Sequence, residues 1–301
     1  MVATVIASRA LAPRVTLTLT AISEFIGPFL FGLAVARTVG AGLIDTEVVS
    51  LTVVLGAVWA AIAWNLLTWY LGLPTSSSHA LVGGLIGAAV MSAGWSVVQI
   101  GGVVKVLIAL FISPPLGFLL GGLFVRLALF FGRTASPRIN VFFKRAQVVT
   151  SVAQALSHGT NSAQKTMGII TLGLLVSGEI DSFVVPLWVI VASASAIAIG
   201  ISSGGWRLIR TLGGRIYKVR PLHGFTSQLA SASVILGAAL AGGPVSTTHV
   251  VGSAIMGAGA AERLSKVRWQ VAQEMVWAWI LTIPLTIGAG ALAFWLLNTF
   301  T

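Results

Sequence analysis

Long apolar segments set the strongest limit on how this chain can fold. Residues 48–71, 101–125 and 271–297 each contain at most one charged residue, and each is long enough to cross a bilayer. Over the whole chain 56% of residues are hydrophobic and 8% are charged, whereas a soluble domain carries about 25% charged residues. The sequence therefore predicts an all-α, polytopic membrane protein that is surrounded by lipid.

The few charged residues are concentrated between the apolar segments. When the basic segments are placed in the cytoplasm, fifteen of the eighteen Lys and Arg residues lie inside, as the positive-inside rule requires. The acidic segments at 45–47 and 179–181 then lie outside. Membrane orientation thus explains the net charge of +11, and no nucleic-acid partner is expected. We predict a multi-pass protein of the cytoplasmic (inner) membrane, in contact with the lipid bilayer.

A hydroxyl-rich turn occurs twice in the chain. The stretch Pro74–His79 recurs 170 residues later as Pro244–His249, and each copy opens an apolar run rich in Gly and Ala. We interpret the copies as two broken-helix or hairpin elements in two repeats, residues 1–131 and 147–301, joined by a basic cytoplasmic linker at 132–146. If one helix precedes residue 1, each half has five crossings, and an odd number gives the halves opposite orientations. This is the inverted-repeat design of secondary transporters.

The same offset has consequences for two segments. It places the counterpart of His158–Lys165 before Met1, so the first repeat is expected to lack its first helix. In the second half, the polar stretch His158–Lys165 is expected to interrupt a span over residues 146–176. A first complete span is expected over residues 15–39.

The two turns have the composition of an oxyanion site inside a membrane. Backbone N–H groups at a helix start and Ser/Thr hydroxyls donate hydrogen bonds without adding fixed charge, and a helix N-terminus adds a partial positive charge. Two copies in opposed halves favour one small tetrahedral anion held between them, with inorganic phosphate as the first candidate. A single copy would be explained as well by hydroxyls that satisfy the backbone of a kinked membrane helix.

Several costly polar side chains lie inside the apolar spans, where ionisable groups are functional candidates. Glu24 is expected to bind a cation or a proton, or to pair with Lys165 or Arg37. Lys165 is expected to face the anion or to extend to a membrane interface.

The remaining polar candidates also have two interpretations each. Asn161 and Gln164 can donate to the anion or coordinate a cation through their side-chain oxygens. His79 and His249 occupy equivalent places in the two turns. Together with Ser78 they are expected to support the anion or carry a proton, although both imidazoles can equally be packed, neutral side chains.

Four stretches resemble the inorganic phosphate transporter (PiT) family, and together they run through essentially the whole chain. They are Pro74-Thr-Ser-Ser-Ser-His79 with Ala80-Leu-Val-Gly-Gly84, His158-Gly-Thr-Asn-Ser-Ala-Gln-Lys-Thr-Met-Gly168, Gly204-Gly-Trp-Arg207, and Gly243-Pro-Val-Ser-Thr-Thr-His249.

This resemblance implies an inverted-repeat symporter that moves phosphate together with H⁺ or Na⁺, with no other cofactor, and a homodimeric assembly. It offers Asn161 and Ser162 for the coupling cation. It assigns phosphate binding to eight residues: Thr75, Ser76, Ser77, Asn161, Gln164, Ser246, Thr247 and Thr248.

Three acidic groups of the family pattern are missing from the chain. Ser162 stands where the family usually has Asp, Gln228 stands where many relatives have Glu, and the first Asn/Asp motif falls before Met1. Their absence favours H⁺ over Na⁺ as the coupling cation. It also leaves two alternatives: a sulfate permease on the same scaffold, or an anion-binding relative that does not transport.

An enzyme is not expected. A membrane phosphoryl-transfer enzyme would use His79 or His249 as its nucleophile. Such an enzyme also needs an acidic metal cluster or a dense basic clamp, and the spans contain neither.

Overall fold

The structure, a computed structural model, describes residues 2–73, 75–206, 209, 211–216 and 218–300. Four residues on which the predictions touch lie outside the described residues. They are Met1, Pro74 of the first hydroxyl-rich turn, Arg207 of the Gly204–Arg207 stretch and Arg210 of a basic segment. The described chain forms eleven α-helices: α1 (Val2–Ala7), α2 (Pro13–Leu30), α3 (Ala34–Ala41), α4 (Leu51–Leu71), α5 (Ser77–Ala93), α6 (Ile100–Phe131), α7 (Ile139–Val176), α8 (Leu187–Ser202), α9 (Pro221–Leu240), α10 (Thr247–Glu262) and α11 (Trp269–Phe300).

The helices have the lengths and surfaces of a membrane protein. Among the described residues, α4, α6 and α11 are each long and apolar enough to cross a bilayer, and the bent pair α2–α3 meets the same test when taken as one span. Large hydrophobic side chains such as Trp59, Phe131 and Ile199 are exposed, as expected where lipid is the solvent. The all-α polytopic membrane fold is therefore confirmed, while the number of crossings in each half stays a prediction.

Two expected spans differ from the prediction. The span at 15–39 is divided into α2 and α3, which meet at an angle of 79°. Gly32 lies in the break with φ +75°, a left-handed conformation that interrupts a helix and suits glycine.

The interruption expected at residues 158–165 is wrong, because α7 is one continuous helix of 38 residues. Several of its polar side chains bond to neighbouring segments while its own backbone ladder stays intact. For example, Thr160 Oγ1 donates 2.8 Å to the Gly27 carbonyl of α2.

The helix bounds follow the 170-residue offset. Adding 170 to the bounds of α4, α5 and α6 gives 221–241, 247–263 and 270–301, within one residue of α9, α10 and α11. The packing is reciprocal as well, because α5 lies against α11 and α6 lies against α10. Each of these two pairs therefore joins one helix of the first half to one helix of the second half. These correspondences fit two repeats, and their opposite orientation stays a prediction.

Gln228 of α9 occupies a place that suits an amide better than a carboxylate. Its Oε1 accepts from Thr150 Oγ1 at 2.7 Å, and its Nε2 donates to Thr4 Oγ1 at 2.8 Å. A Glu side chain has no N–H for the second bond. The amide thus joins α1, α7 and α9 at a buried point.

The reciprocal helix pairs approach at glycines. A Cβ atom at Gly87 of α5 would overlap the Ile287 carbonyl of α11, and a Cβ atom at Gly257 of α10 would overlap the Phe118 carbonyl of α6. Small residues allow membrane helices to approach this closely.

We expect Gly87→Ala and Gly257→Ala each to lower the stability of the detergent-solubilised protein by about 1–3 kcal/mol, because the added methyl group meets rigid backbone. Thermal unfolding measures the loss. Gly288→Ala is the matched control, because a Cβ atom there meets nothing within 4 Å. Equal unfolding midpoints for all three variants would contradict this account of the packing.

Candidate functional site

The helices α5 and α10 begin with the same local structure. Ser76 is the N-cap of α5, and its Oγ accepts from the His79 N–H at 3.1 Å. Ser246 is the N-cap of α10, and its Oγ accepts from the His249 N–H at 3.4 Å. Both serines are buried. Each hydroxyl therefore fixes a helix start and still has one hydrogen to donate.

Residues from both turns line one cavity. A space of about 450 Å³ is lined by Thr75, Ser77 and Thr248, together with residues from the end of α4. Thr75 Oγ1 donates 2.8 Å to Thr68 Oγ1 on that side. The structure thus brings together three of the eight predicted phosphate-binding residues in an open, hydroxyl-lined space.

A second set of predicted residues lies on one face of α7 and is buried. Asn161, Gln164 and Lys165 are 0%, 0% and 5% exposed, and the spacing of three and four residues puts them on neighbouring positions of the helix surface. None of them lines the 450 Å³ cavity. The eight predicted residues therefore do not form one open site in this structure.

Lys165 connects the two turns. Its Nζ donates to Ser78 Oγ at 2.7 Å and to the Val245 carbonyl at 3.1 Å. Ser78 Oγ also donates 2.9 Å to the Val245 carbonyl, which closes a triangle between α7, the start of α5 and the loop before α10. The Lys165 side chain is thus buried at the junction of the two turns and does not extend to the protein surface.

The amide groups of α7 reach two further backbone segments. Asn161 Nδ2 donates 3.1 Å to the Gly243 carbonyl, just before the second turn. Gln164 Oε1 accepts from the N–H groups of Val35 and Ala36 at 2.8 and 3.4 Å. These two donors belong to the first turn of α3, whose own N-cap residue makes no side-chain cap. Gln164 therefore caps α3 from a different helix.

The histidines of the two turns meet across the two halves. The His79 and His249 ring centroids are 4.8 Å apart, and His249 stacks on Trp279 at 4.0 Å. Both rings are 1% exposed. Neither ring nitrogen of His79 has a hydrogen-bond partner among the described residues. This arrangement fits packed imidazoles that hold the two half-helix starts side by side.

Glu24 contacts a partner that differs from the two expected from the sequence. Its Oε1 lies 3.0 Å from His158 Nδ1, a contact whose geometry falls outside that of a good hydrogen bond. The expected partners Lys165 and Arg37 do not take this place. Glu24 is fully buried, and Gly159 brings the α7 backbone against it.

His158 also connects this carboxylate to Ser162, because Ser162 Oγ lies 3.3 Å from His158 Nε2. The hydroxyl that replaces the family's Asp is therefore already bonded to the imidazole. The signal available in the sequence was the spacing of four residues between His158 and Ser162 on one helix. Within the part of the chain that the structure describes, no group of three or more His, Asp or Glu residues is placed to hold a metal ion.

Known proteins resemble this chain over nearly its full length. Residues 1–290 match the model of the phosphate transporter family. A probable low-affinity inorganic phosphate transporter of Bacillus subtilis is 40% identical over 99% of this chain and 90% of its own length. One of the same description from Rhizobium meliloti is 41% identical over 97% and 88%.

A solved structure described as the sodium-dependent phosphate transporter has a TM-score of 0.92 with this chain at 23% identity. The match covers 100% of this chain and 94% of that one. At this identity the likeness shows a shared fold.

The cap on α3 leads to a prediction at Gln164. We expect Gln164→Met to destabilise the protein by about 1–3 kcal/mol, because two buried N–H groups of α3 lose their acceptor. Gln164→Glu keeps an acceptor beside a helix N-terminus, where negative charge is favoured, and should lose less. Thermal unfolding in detergent compares the two variants. Equal unfolding midpoints for Gln164→Met and the parent would contradict the assignment of the cap.

Proposed function

The chain belongs to the phosphate transporter family, and from this premise we propose that it carries inorganic phosphate across the cytoplasmic membrane by symport with a cation. In this proposal the anion is held between the starts of α5 and α10. The family and its relatives are transporters and not enzymes, so the polar residues of the site need to bind and release, without any change of covalent bonds.

The observation that carries the proposal is the meeting of the two hydroxyl turns. Thr75 and Ser77 come from the first half of the sequence and Thr248 from the second, and all three line one cavity. A helix start offers N–H groups and a partial positive charge to an anion. The Lys165 Nζ adds a hydrogen-bond donor behind the turns, and in its protonated form a positive charge. Together these groups neutralise a phosphate anion without a cluster of fixed cations, which would hold it too tightly for release.

The buried face of α7 supplies the second part of the proposed path. Asn161 and Gln164 are buried and do not line the cavity, and Ser76, Ser246 and Thr247 are also buried. We assign the cavity residues to capture of the anion and the buried residues to its occluded state. Movement of the two halves relative to one another would transfer the anion between them, as in inverted-repeat transporters.

We assign the coupling cation to the region of Glu24. Among the described residues it is the one carboxylate that is buried, and a lone carboxylate inside a membrane is costly unless it binds a cation or a proton. The pair with His158 offers a proton site, and the adjacent Ser162 hydroxyl offers an oxygen for Na⁺. Imposed gradients of H⁺ and Na⁺ across proteoliposomes decide between the two ions.

Phosphate uptake into proteoliposomes tests the proposed function directly. We expect saturable uptake by the parent chain, and a rise of about 10- to 100-fold in the half-saturating phosphate concentration for Ser77→Ala/Thr248→Val, because two hydrogen bonds to an anion are lost. Ser96→Ala, which removes an exposed hydroxyl beyond the other end of α5, is the control.

Two outcomes of that experiment count against the proposal. Normal uptake by Ser77→Ala/Thr248→Val would remove the cavity from the path. Phosphate binding without uptake by the parent chain would make the protein an anion-binding relative and not a transporter. Ser76→Ala and Ser246→Ala are poorer tests, because loss of an N-cap costs about 1 kcal/mol of stability by itself.

We expect Glu24→Gln to abolish gradient-driven accumulation of phosphate, because the amide no longer gains or loses the charge that links the cation to the anion. Exchange of labelled for unlabelled phosphate should persist, since it needs no gradient. Ser23→Ala changes a neighbouring buried residue whose hydroxyl donates to the Leu19 carbonyl of its own helix, and serves as the control. Accumulation by Glu24→Gln at the level of the parent would remove Glu24 from coupling.

A further inference from the structure

Two amide side chains on the buried face of α7 are each bonded at one end. Asn161 bonds to the Gly243 carbonyl, which can accept but cannot donate. Gln164 bonds to the N–H groups of Val35 and Ala36, which can donate but cannot accept. These partners fix the orientation of both amides, since a flip of either one would set like groups against each other.

The opposite ends of the two amides have no partner among the described residues. They are the Oδ1 atom of Asn161 and the Nε2 atom of Gln164, and both atoms are buried. An unpaired polar atom is costly inside a membrane protein, and a buried one calls for an explanation. The free Oδ1 atom of Asn161 can only accept a hydrogen bond, and the free Nε2 atom of Gln164 can only donate one. The two residues are three positions apart on one helix.

We propose that Asn161 makes this transporter select oxyanions that carry a proton. This inference rests on the proposed function and concerns the anion in its occluded state. The free N–H of Gln164 meets a bare oxygen of the anion, while Oδ1 of Asn161 accepts from a hydroxyl group of the same anion. Phosphate carries at least one proton near neutral pH and satisfies both amides. Sulfate carries none, so one of its oxygens would face Oδ1 with lone pair against lone pair.

Asn161 is better suited to this selection than the hydroxyl residues around it. A Ser or Thr hydroxyl rotates and serves either as donor or as acceptor, so it binds protonated and unprotonated oxygens alike. The ammonium of Lys165 only donates. The bond to Gly243 holds the Asn161 amide in one orientation, so its oxygen cannot be exchanged for its nitrogen when an unprotonated anion arrives.

Competition between matched oxyanions tests the proposal. Arsenate and selenate have the same tetrahedral shape and similar size, but near neutral pH arsenate carries a proton and selenate does not. We expect arsenate to inhibit uptake of labelled phosphate at concentrations similar to phosphate itself. Selenate and sulfate should need concentrations roughly 10- to 100-fold higher, because each leaves a buried acceptor unpaired.

Variants at Asn161 identify the residue responsible. Asn161→Ala and Asn161→Ser should bring the ratio of selenate to arsenate inhibition constants close to one, since the first has no acceptor and the second has a hydroxyl that can also donate. Asn161→Ser is the smaller change and covers the case in which Asn161→Ala does not fold. Gln154→Ala is the matched control and should leave the ratio unchanged. Gln154 is another buried α7 amide, two turns away, and its side-chain oxygen has no hydrogen-bond partner among the described residues.

Each remaining outcome overturns the inference. Equal inhibition by selenate and arsenate in the parent chain shows that the site does not detect the proton. An unchanged ratio in both Asn161 variants moves the selection to another residue. A changed dependence on Na⁺ with an unchanged ratio makes Oδ1 a cation ligand. Failure of the parent chain to take up phosphate overturns the proposed function itself, whereas uptake of phosphate and sulfate alike overturns this inference alone.

Discussion

The buried ammonium of Lys165 is the point on which the arrangement of the site depends. A charge inside the membrane needs partners with good geometry, and Lys165 finds them in Ser78 of the first turn and the Val245 carbonyl of the second. The two half-helix starts are therefore held against α7 and against each other by one side chain. The neighbouring His79 and His249 rings fill the space beside this junction with a 4.8 Å contact.

The same helix also organises the other buried polar contacts. Gln164 caps α3, Asn161 binds the loop before α10, and His158 meets Glu24 of α2. Because each of these side chains bonds outward, α7 keeps its own backbone hydrogen bonds. A membrane helix can thus be strongly polar on one face and still be continuous, provided that its neighbours bring broken or irregular ends to that face.

Features that depend on local sequence were predictable, and features that depend on helix pairing were not. The repeat of Pro74–His79 and Pro244–His249 predicted two equivalent helix starts, and α5 and α10 begin there with matching Ser caps. The division of α2 from α3 has a local signal in Gly32. The pair of Glu24 with His158 depends on the close approach of α2 and α7 at Gly159, and no pattern within either helix indicates which helix it will meet. For the same reason the polarity of residues 158–165 wrongly predicts a break in α7, because the partners of several of these side chains lie on other segments.

The reciprocal packing of α5 with α11 and of α6 with α10 has a consequence for how the molecule can move. Each contact joins one half of the chain to the other, and at Gly87 and Gly257 the backbones approach too closely for a side chain to lie between them. A shift of one half against the other must therefore displace both contacts at the same time. The two contacts are therefore mechanically linked, so one cannot shift while the other keeps its packing unchanged.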